Sequence, residues 1–318
     1  MKIKGKYEKI SPLAPLYTVL ALLVVTIPFR VYQHLNIVAA DTGFYKRIDW
    51  SVYLMYAVAT VAVVIPYILT YLAKNIPASK SPFRKNRFLA VTSIIFAIGI
   101  IVDVVSAFSQ FILNIKSFSA IGASAFGPLN PQQIPLLIEA VAGVVASIYM
   151  LIFGISYIDG RTTYSQYKFM ALTPLFWAMS RLVVRFVKKI AYINVSDLML
   201  ELFGIAFLMM FLLSFARISS GLANEKAMRN AFASGSATLF FLATANVSRL
   251  LVIITGNGNK LPYEYPFALC DLGVALFIVA YIINAVRYAN ENDSEELNSS
   301  DSVKAESNMD TDDNFLSE

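Results

Sequence analysis

The stretch FLAVTSIIFAIGIIVDVVSAFSQFI, residues 88–112, decides the fold class of this chain, because it is predominantly apolar and carries one charged side chain, Asp103. A helix of about 20 consecutive apolar residues is long enough to cross the hydrocarbon core of a bilayer. Transmembrane β-strands alternate apolar and polar residues instead. We therefore interpret residues 88–112 as a transmembrane helix.

The composition extends this interpretation to nearly the whole chain. Hydrophobic residues make up 57% of the 318 residues and charged residues 15%, against roughly 25% charged residues in a typical soluble domain. Comparable apolar runs predict an all-α, polytopic transmembrane helical bundle of about eight spans, which occupies residues 1–288. The predicted spans are 11–29, 50–73, 88–112, 132–157, 169–190, 196–218, 231–254 and 265–288.

The distribution of Lys and Arg predicts which side of the membrane each loop faces, since cytoplasmic loops carry an excess of both. Four Lys precede the first span and five basic residues fall in the 74–87 connection, whereas the loops of the other side carry fewer. We therefore expect both termini to be cytoplasmic. The first span is too long for a secretory signal and no small-residue cleavage site follows it, so we expect a retained anchor.

The C-terminal segment 289–318 differs from the rest of the chain in composition. It holds ten of the 21 Asp and Glu residues, a single Lys and many Ser and Asn. Such a segment does not bury enough apolar surface to offset its ordering entropy. We predict a disordered acidic cytoplasmic tail, with the alternative that it docks onto a basic cytoplasmic partner.

Most catalytic and metal chemistry is disfavoured by the residue counts. The chain has one Cys, Cys270, and one His, His34, which leaves no intrachain disulfide, thiolate cluster or two-His metal site. No H-E-x-x-H, P-loop or G-x-G-x-x-G motif occurs. We therefore expect no catalytic residues, no metal site and no cofactor. An enzyme is not predicted, and neither is a nucleic-acid partner.

A second stretch, SRLVVRFVKKIAYINVSDLMLELFG at residues 180–204, places charges within apolar sequence. Arg181 and Arg185 are four residues apart, as are Asp197 and Glu201, so each pair shares one face of its helix. Equal depth across the hairpin pairs Arg185 with Asp197, and Arg181 with Glu201. We predict intramembrane ion pairs among these four residues, since an unpaired charge costs about 2.5–3.5 kcal/mol at mid-membrane. The alternative to a functional role is that the pairs only hold the helices together.

Two further hairpins repeat this arrangement. Arg249 and Asp271 lie at equal depth about their turn, and so do Asp103 and Glu139. The latter two are both acidic, and two carboxylates at one depth are not both ionised at low cost unless a cation or an Arg joins them. We predict Asp103, Glu139, Arg249 and Asp271 as candidates for binding a ligand or an ion.

Depth suggests where such a ligand enters. By the helical rise, the charged groups lie within about 15 Å of the outer helix ends. Ionisable groups inside a membrane usually face a bundle interior or an aqueous vestibule, so we expect a charged cavity open to the outside. Trp177, one turn from Arg181, and Asn246, one turn from Arg249, are placed to line it.

The sequence RVYQ at residues 30–33, followed by DTGFY at residues 41–45, resembles a pattern of uncharacterised multi-pass membrane proteins of Gram-positive anaerobic bacteria. The resemblance extends over the spans and implies a bacterial cytoplasmic membrane as the location. It implies no activity, ligand or site residue.

Three classes of function remain open. The first, which we favour, is binding or transport of a small polar or ionic solute through an outward-facing charged cavity. The second is a membrane sensor or receptor, which the lack of a recognisable soluble signalling domain in the sequence disfavours. The third is a non-transporting assembly subunit of a membrane complex. The partners expected are the lipid bilayer and, in the first two classes, a small polar or ionic ligand.

Overall fold

The fold consists of helices of membrane length. The computed structural model describes residues 11–41, 43–73, 85–120, 133–160, 166–187, 196–222, 225–261 and 267–287. Within these residues, eight helices are long and apolar enough to cross a membrane. They are α1 (Ala14–Asn36), α2 (Trp50–Leu72), α3 (Arg87–Ala120), α4 (Gln133–Asp159), α5 (Thr173–Val187), α6 (Ser196–Ser219), α7 (Glu225–Ile254) and α8 (Leu269–Arg287).

This architecture confirms the predicted all-α transmembrane bundle. The described residues form no strand, and Val38 and Tyr45 make an isolated β-bridge. A short 3-10 turn, Met170–Leu172, leads into α5 and extends the fifth span. The predicted acidic tail, residues 289–318, lies outside the described residues, as does the basic segment 1–10.

α1 is longer than predicted. The sequence predicts its end at residue 29, before the charged Arg30, but the helix continues to Asn36. The added turns face the protein interior, because Arg30, Gln33 and His34 are all buried. Arg30 and Gln33 form hydrogen bonds inside the bundle, so the change from apolar to polar sequence does not mark the helix end here.

α7 and α8 form the centre of the bundle. In each of them 72% of the most apolar membrane-length window is buried, whereas the fraction for α2 is 28%. α7 packs against α1, α2 and α6. Gly235 on α7 allows close approach on two sides, since an added Cβ would lie 3.0 Å from Phe211 of α6 and 3.2 Å from Ile278 of α8.

Aromatic side chains fill one half of the bundle. The rings of Phe153, Phe215 and Phe277, from α4, α6 and α8, have centroids 5.2 to 5.9 Å apart. Tyr281 adds an edge-to-face contact with Phe215 at 5.6 Å, a geometry that aromatic pairs prefer. We call these four residues the aromatic layer. Phe153 and Phe215 lie near the C-terminal ends of α4 and α6, so the layer belongs to that end of the bundle.

The connection between α1 and α2 folds over the opposite end. This α1–α2 loop, residues 37–49, turns at Gly43, whose φ of 70° lies in the left-handed region that glycine adopts without strain. Tyr45 packs in a small apolar cluster that includes Val52. Its hydroxyl lies 3.4 Å from Nη1 of Arg30, so the loop covers the end at which α1 finishes.

Candidate functional site

Charged side chains from seven of the eight helices gather at one end of the bundle. It is the end at which α1, α3, α5 and α7 finish and α4, α6 and α8 begin, opposite the aromatic layer. Arg181 and Arg249 lie about 9 Å or less from the C-terminal ends of α5 and α7 by the helical rise. We call the following nine residues the charge network: Arg30, Asp103, Glu139, Arg181, Arg185, Asp197, Glu201, Arg249 and Asp271.

Five of these residues form the Asp197 cluster. Asp197 accepts a hydrogen bond from Arg30, and its other oxygen lies 3.5 Å from Nη2 of Arg249. Arg249 Nη1 donates to Glu201 at 2.7 Å, and Arg185 Nη2 lies 3.2 Å from the second Glu201 oxygen. The cluster ties α1, α5, α6 and α7 together. The ion pairs offset the desolvation cost of the buried charges. Removal of one partner would leave the other charge buried and uncompensated, which strongly destabilises a protein.

Neutral groups of the α1–α2 region complete the surroundings of Arg30. Its Nη1 donates to Gln33 Oε1 at 2.6 Å, and Gln33 Nε2 donates to the backbone carbonyl of Ser51 at 3.0 Å. Tyr45 approaches the same guanidinium from the α1–α2 loop. The RVYQ and DTGFY segments therefore meet at the charge network, the first through Arg30 and Gln33 and the second through Tyr45.

The Asp271 cluster contains the remaining four charged residues and Asn246. Arg181 donates two hydrogen bonds to Asp271, one from Nη1 to Oδ1 and one from Nη2 to Oδ2, the latter at 3.1 Å. Asn246 Nδ2 donates to the same Oδ2 at 3.0 Å. Asn246 is one helical turn from Arg249 on α7, so the two clusters are stacked along the bundle axis, about 4.5 Å apart on this helix.

Two carboxylates of the Asp271 cluster lie side by side. Asp103 on α3 and Glu139 on α4 interact directly with each other. Arg181 Nε lies 3.9 Å from Asp103 Oδ2, which is beyond hydrogen-bonding distance, and the rest of this guanidinium is engaged by Asp271. Glu139 is buried, whereas the Asp103 side chain is 21% exposed.

The charge network has a surplus of carboxylates. It contains five carboxylates and four arginines, so full ionisation leaves one negative charge in excess. The Asp197 cluster has three arginines for two carboxylates, whereas the Asp271 cluster has one arginine for three. The surplus therefore belongs to the Asp271 cluster. Asp103, at 21%, and Arg185, at 19%, are the members whose side chains remain partly exposed.

The structure places the predicted site residues together, but the ion pairs that they form differ from the predicted pairs. Arg181 pairs with Asp271 instead of Glu201, and Arg185 pairs with Glu201 instead of Asp197, so these two pairing predictions were wrong. Equal depth within one hairpin leaves out every helix outside that hairpin. Here α8 contacts α5, and α1 and α7 both contact α6.

Sequence reasoning missed the contribution of α1. The predicted first span, 11–29, leaves Arg30 and His34 outside the bundle, but Arg30 pairs with Asp197 and His34 Nε2 lies 3.8 Å from the same carboxylate. A signal was present in the sequence. Arg30, Gln33 and His34 follow the i, i+3, i+4 spacing of one helix face, which is typical of a helix that continues with a polar stripe.

One groove on the described surface is apolar, and no charged residue lines it. It has a volume of about 380 Å³, lies between α4 and α5, and is lined by residues that include Leu137, Val141, Val145 and Phe176. Its lining suits lipid chains more than a polar solute. The groups of the charge network contact one another directly, and the outward-facing charged cavity stays a prediction.

Comparison with known proteins gives no match: no protein-family model, no curated protein and no solved structure matches this chain. The class of protein is therefore inferred from the fold and the charge network alone. It has the architecture of an integral multi-pass membrane protein, with a buried charge network at one end of the bundle.

Proposed function

We propose that this protein binds a positively charged group of a small solute at Asp103 and Glu139 and carries the solute across the cell membrane. The observation that supports this most is the carboxylate surplus of the Asp271 cluster. Asp103 and Glu139 interact with each other, and the neighbouring Arg181 is already bound by Asp271. Two adjacent carboxylates of this kind hold a shared proton or a cation at lower cost than two bare charges.

The number of ligands favours a group with a single positive charge. In the described part of the chain, no three His, Cys, Asp or Glu side chains are grouped closely enough to hold a metal ion. One positive group beside Asp103 and Glu139 also offsets the surplus carboxylate there, because five carboxylates of the network face four arginines. Candidate ligands of the two carboxylates are therefore a proton, an alkali cation or an ammonium group, and no catalytic step is proposed.

The two halves of the bundle would have different roles in this transport. The charged end, which the Lys and Arg counts predict to face outside, receives the solute through the exposed side of Asp103. The aromatic layer closes the opposite half, so passage requires those rings to separate. A bundle that keeps this layer closed would bind the solute without transporting it, which is the receptor alternative.

The proposal is tested with purified protein in detergent and a thermal-shift assay. Chloride salts of Li⁺, Na⁺, K⁺ and methylammonium are added to the wild type and to Asp103→Asn and Glu139→Gln. A ligand at a hundred times its Kd stabilises a protein by about 2.7 kcal/mol, so we expect a clear rise in Tm with at least one cation. We expect the rise to disappear in both variants.

The matched control is Asp49→Asn, an acid-to-amide change at the same end of the bundle. Asp49 caps α2 by accepting the Trp50 N–H at 2.7 Å, and Asn is an equally good cap. The control should keep the full response to cations. A response that persists in Asp103→Asn and Glu139→Gln, or no response to any of the cations, counts against the proposal. Uptake into proteoliposomes then separates transport from binding alone.

A further inference from the structure

One polar group next to the Asp271 cluster has no partner. Trp177 on α5 is fully buried, and its indole Nε1 makes no hydrogen bond. Buried Trp N–H groups usually find an acceptor, and an orphaned buried donor in a native structure calls for an explanation. Asp103 Oδ2 likewise lacks a hydrogen-bond donor.

The surroundings of the ring locate this free N–H. The Arg181 guanidinium lies over the ring, 5.6 Å from its centroid, and Phe96 contacts the ring at 6.0 Å. The edge of the ring faces α4, because a Cβ added at Gly143 would lie 3.1 Å from Trp177 Cδ1. Cδ1 is bonded to Nε1, so the donor also lies at the α4 side.

The free donor and the paired carboxylates share one junction of three helices. Gly143 is one turn from Glu139 along α4, or about 6 Å by the helical rise. Val104, the neighbour of Asp103 on α3, meets Gly143 at the same place. A negative pair and a hydrogen-bond donor beside a guanidinium therefore lie about one helical turn apart between α3, α4 and α5.

We infer that the solute bound by Asp103 and Glu139 is a small zwitterion, whose ammonium group lies at the two carboxylates and whose carboxylate accepts the Trp177 N–H. This inference rests on the proposed function. An alkali cation would balance the carboxylates but leave the indole donor without an acceptor. A zwitterion satisfies both groups, because its carboxylate is an acceptor for the indole N–H and its ammonium group offsets the two carboxylates.

The test compares two probes that share an ammonium group. Glycine carries a carboxylate and methylammonium does not. In the thermal-shift assay at equal concentrations, we expect glycine to raise the Tm of the wild type more than methylammonium does. In Trp177→Phe, which keeps the ring and removes the N–H, the glycine response should fall to that of methylammonium. Asp103→Asn should remove both responses.

Trp50→Phe is the matched control, since Trp50 is the second of the two tryptophans and is 65% exposed at the start of α2. It should keep both responses. It also leaves Trp177 as the single tryptophan, so its fluorescence reports on the indole even if Trp177→Phe fails to fold. We expect glycine to shift the emission maximum of this variant and methylammonium to leave it unchanged.

The outcomes separate this inference from the proposed function. Equal responses to glycine and methylammonium, or an emission maximum that glycine does not move, overturn the zwitterion and indicate that water alone satisfies the indole. A methylammonium response that depends on Asp103 would then still support the cation site. A glycine advantage that survives in Trp177→Phe overturns the role of the indole N–H.

Discussion

Arginine is the residue that makes the interior of this bundle unusual. Arg30 and Arg249 are completely buried, and a guanidinium is the side chain that gives up its proton least readily. Its planar fork permits two parallel hydrogen bonds to one carboxylate, as Arg181 makes with Asp271. A Lys at the same position would supply a point charge without this geometry, so the exchange would not be conservative.

A double-mutant cycle on Arg181 and Asp271 tests this pairing. Asp271→Asn alone leaves a buried Arg181 with only the longer contact to Asp103, at 3.9 Å, so we expect destabilisation of about 3–5 kcal/mol. The double change Arg181→Gln/Asp271→Asn removes both charges and should cost less than the sum of the single changes. The measurement is thermal melting in detergent, with coupling energies of about 1–3 kcal/mol expected.

The same cycle on Arg181 and Glu201 is the control, because Glu201 is held by Arg185 and Arg249 instead. Here the two single changes should add to within about 0.5 kcal/mol. A larger coupling for Arg181 and Glu201 than for Arg181 and Asp271 would contradict the observed partners and restore the pairing predicted within the hairpin.

At the scale of helices, apolar length predicts their existence better than their ends. Residues 50–73 and 196–218 were predicted almost as the structure has α2 and α6. The end of α1 was predicted too early, because a charged residue after an apolar run normally indicates the end of a span. Arg30 lies inside the bundle because it pairs with Asp197, which is far along the chain. The pairs Arg30–Asp197 and Arg181–Asp271 join helices that are not consecutive, so no local pattern contains them. The pair Arg185–Glu201 lies within the predicted hairpin and differs from the prediction by one helical turn.

The contact between α3 and α8 is another feature that needs the structure. A Cβ added at Gly99 of α3 would lie 2.8 Å from the Cα of Cys270, and one added at Gly273 of α8 would lie 3.0 Å from the Cα of Phe96. The two backbones therefore touch through the two glycines. Small residues at membrane helix interfaces permit such close packing, and this contact holds Asp271 next to the helices that carry Asp103 and Arg181.

Gly99→Ala should therefore destabilise the protein. The added methyl group meets backbone, which yields less easily than a side chain, so we expect a loss of about 1–3 kcal/mol by thermal melting. Gly258→Ala is the control, because a Cβ there meets its nearest neighbour at an ordinary 3.8 Å and should change Tm little. Equal stability of Gly99→Ala and the wild type would mean that α3 and α8 are not in backbone contact.

The whole molecule is asymmetric along the bundle axis. Buried charges collect at one end and aromatic rings in the opposite half. From the sequence, the concentration of charges near one set of helix ends was predictable, as was the meeting of Asp103 and Glu139, because both follow from counting along a single hairpin. The Asp197 cluster was not predictable as a whole, since it joins α1 to α5, α6 and α7, which lie far from α1 in the chain order.

The side of the membrane that the charged end faces is the last prediction, and it rests on the Lys and Arg counts. Leu222 and Asn257 flank α7, so they must lie on opposite sides if this helix spans the membrane. In intact cells, an impermeant thiol reagent should label Asn257→Cys, at the charged end, and should label Leu222→Cys only after permeabilisation. Ser81→Cys, in the basic 74–87 connection outside the described residues, should behave like Leu222→Cys. Cys270 is buried and gives a low background. The reverse pattern would invert the orientation and place the charge network on the cytoplasmic side, whereas labelling of both flanks in intact cells would contradict the span itself.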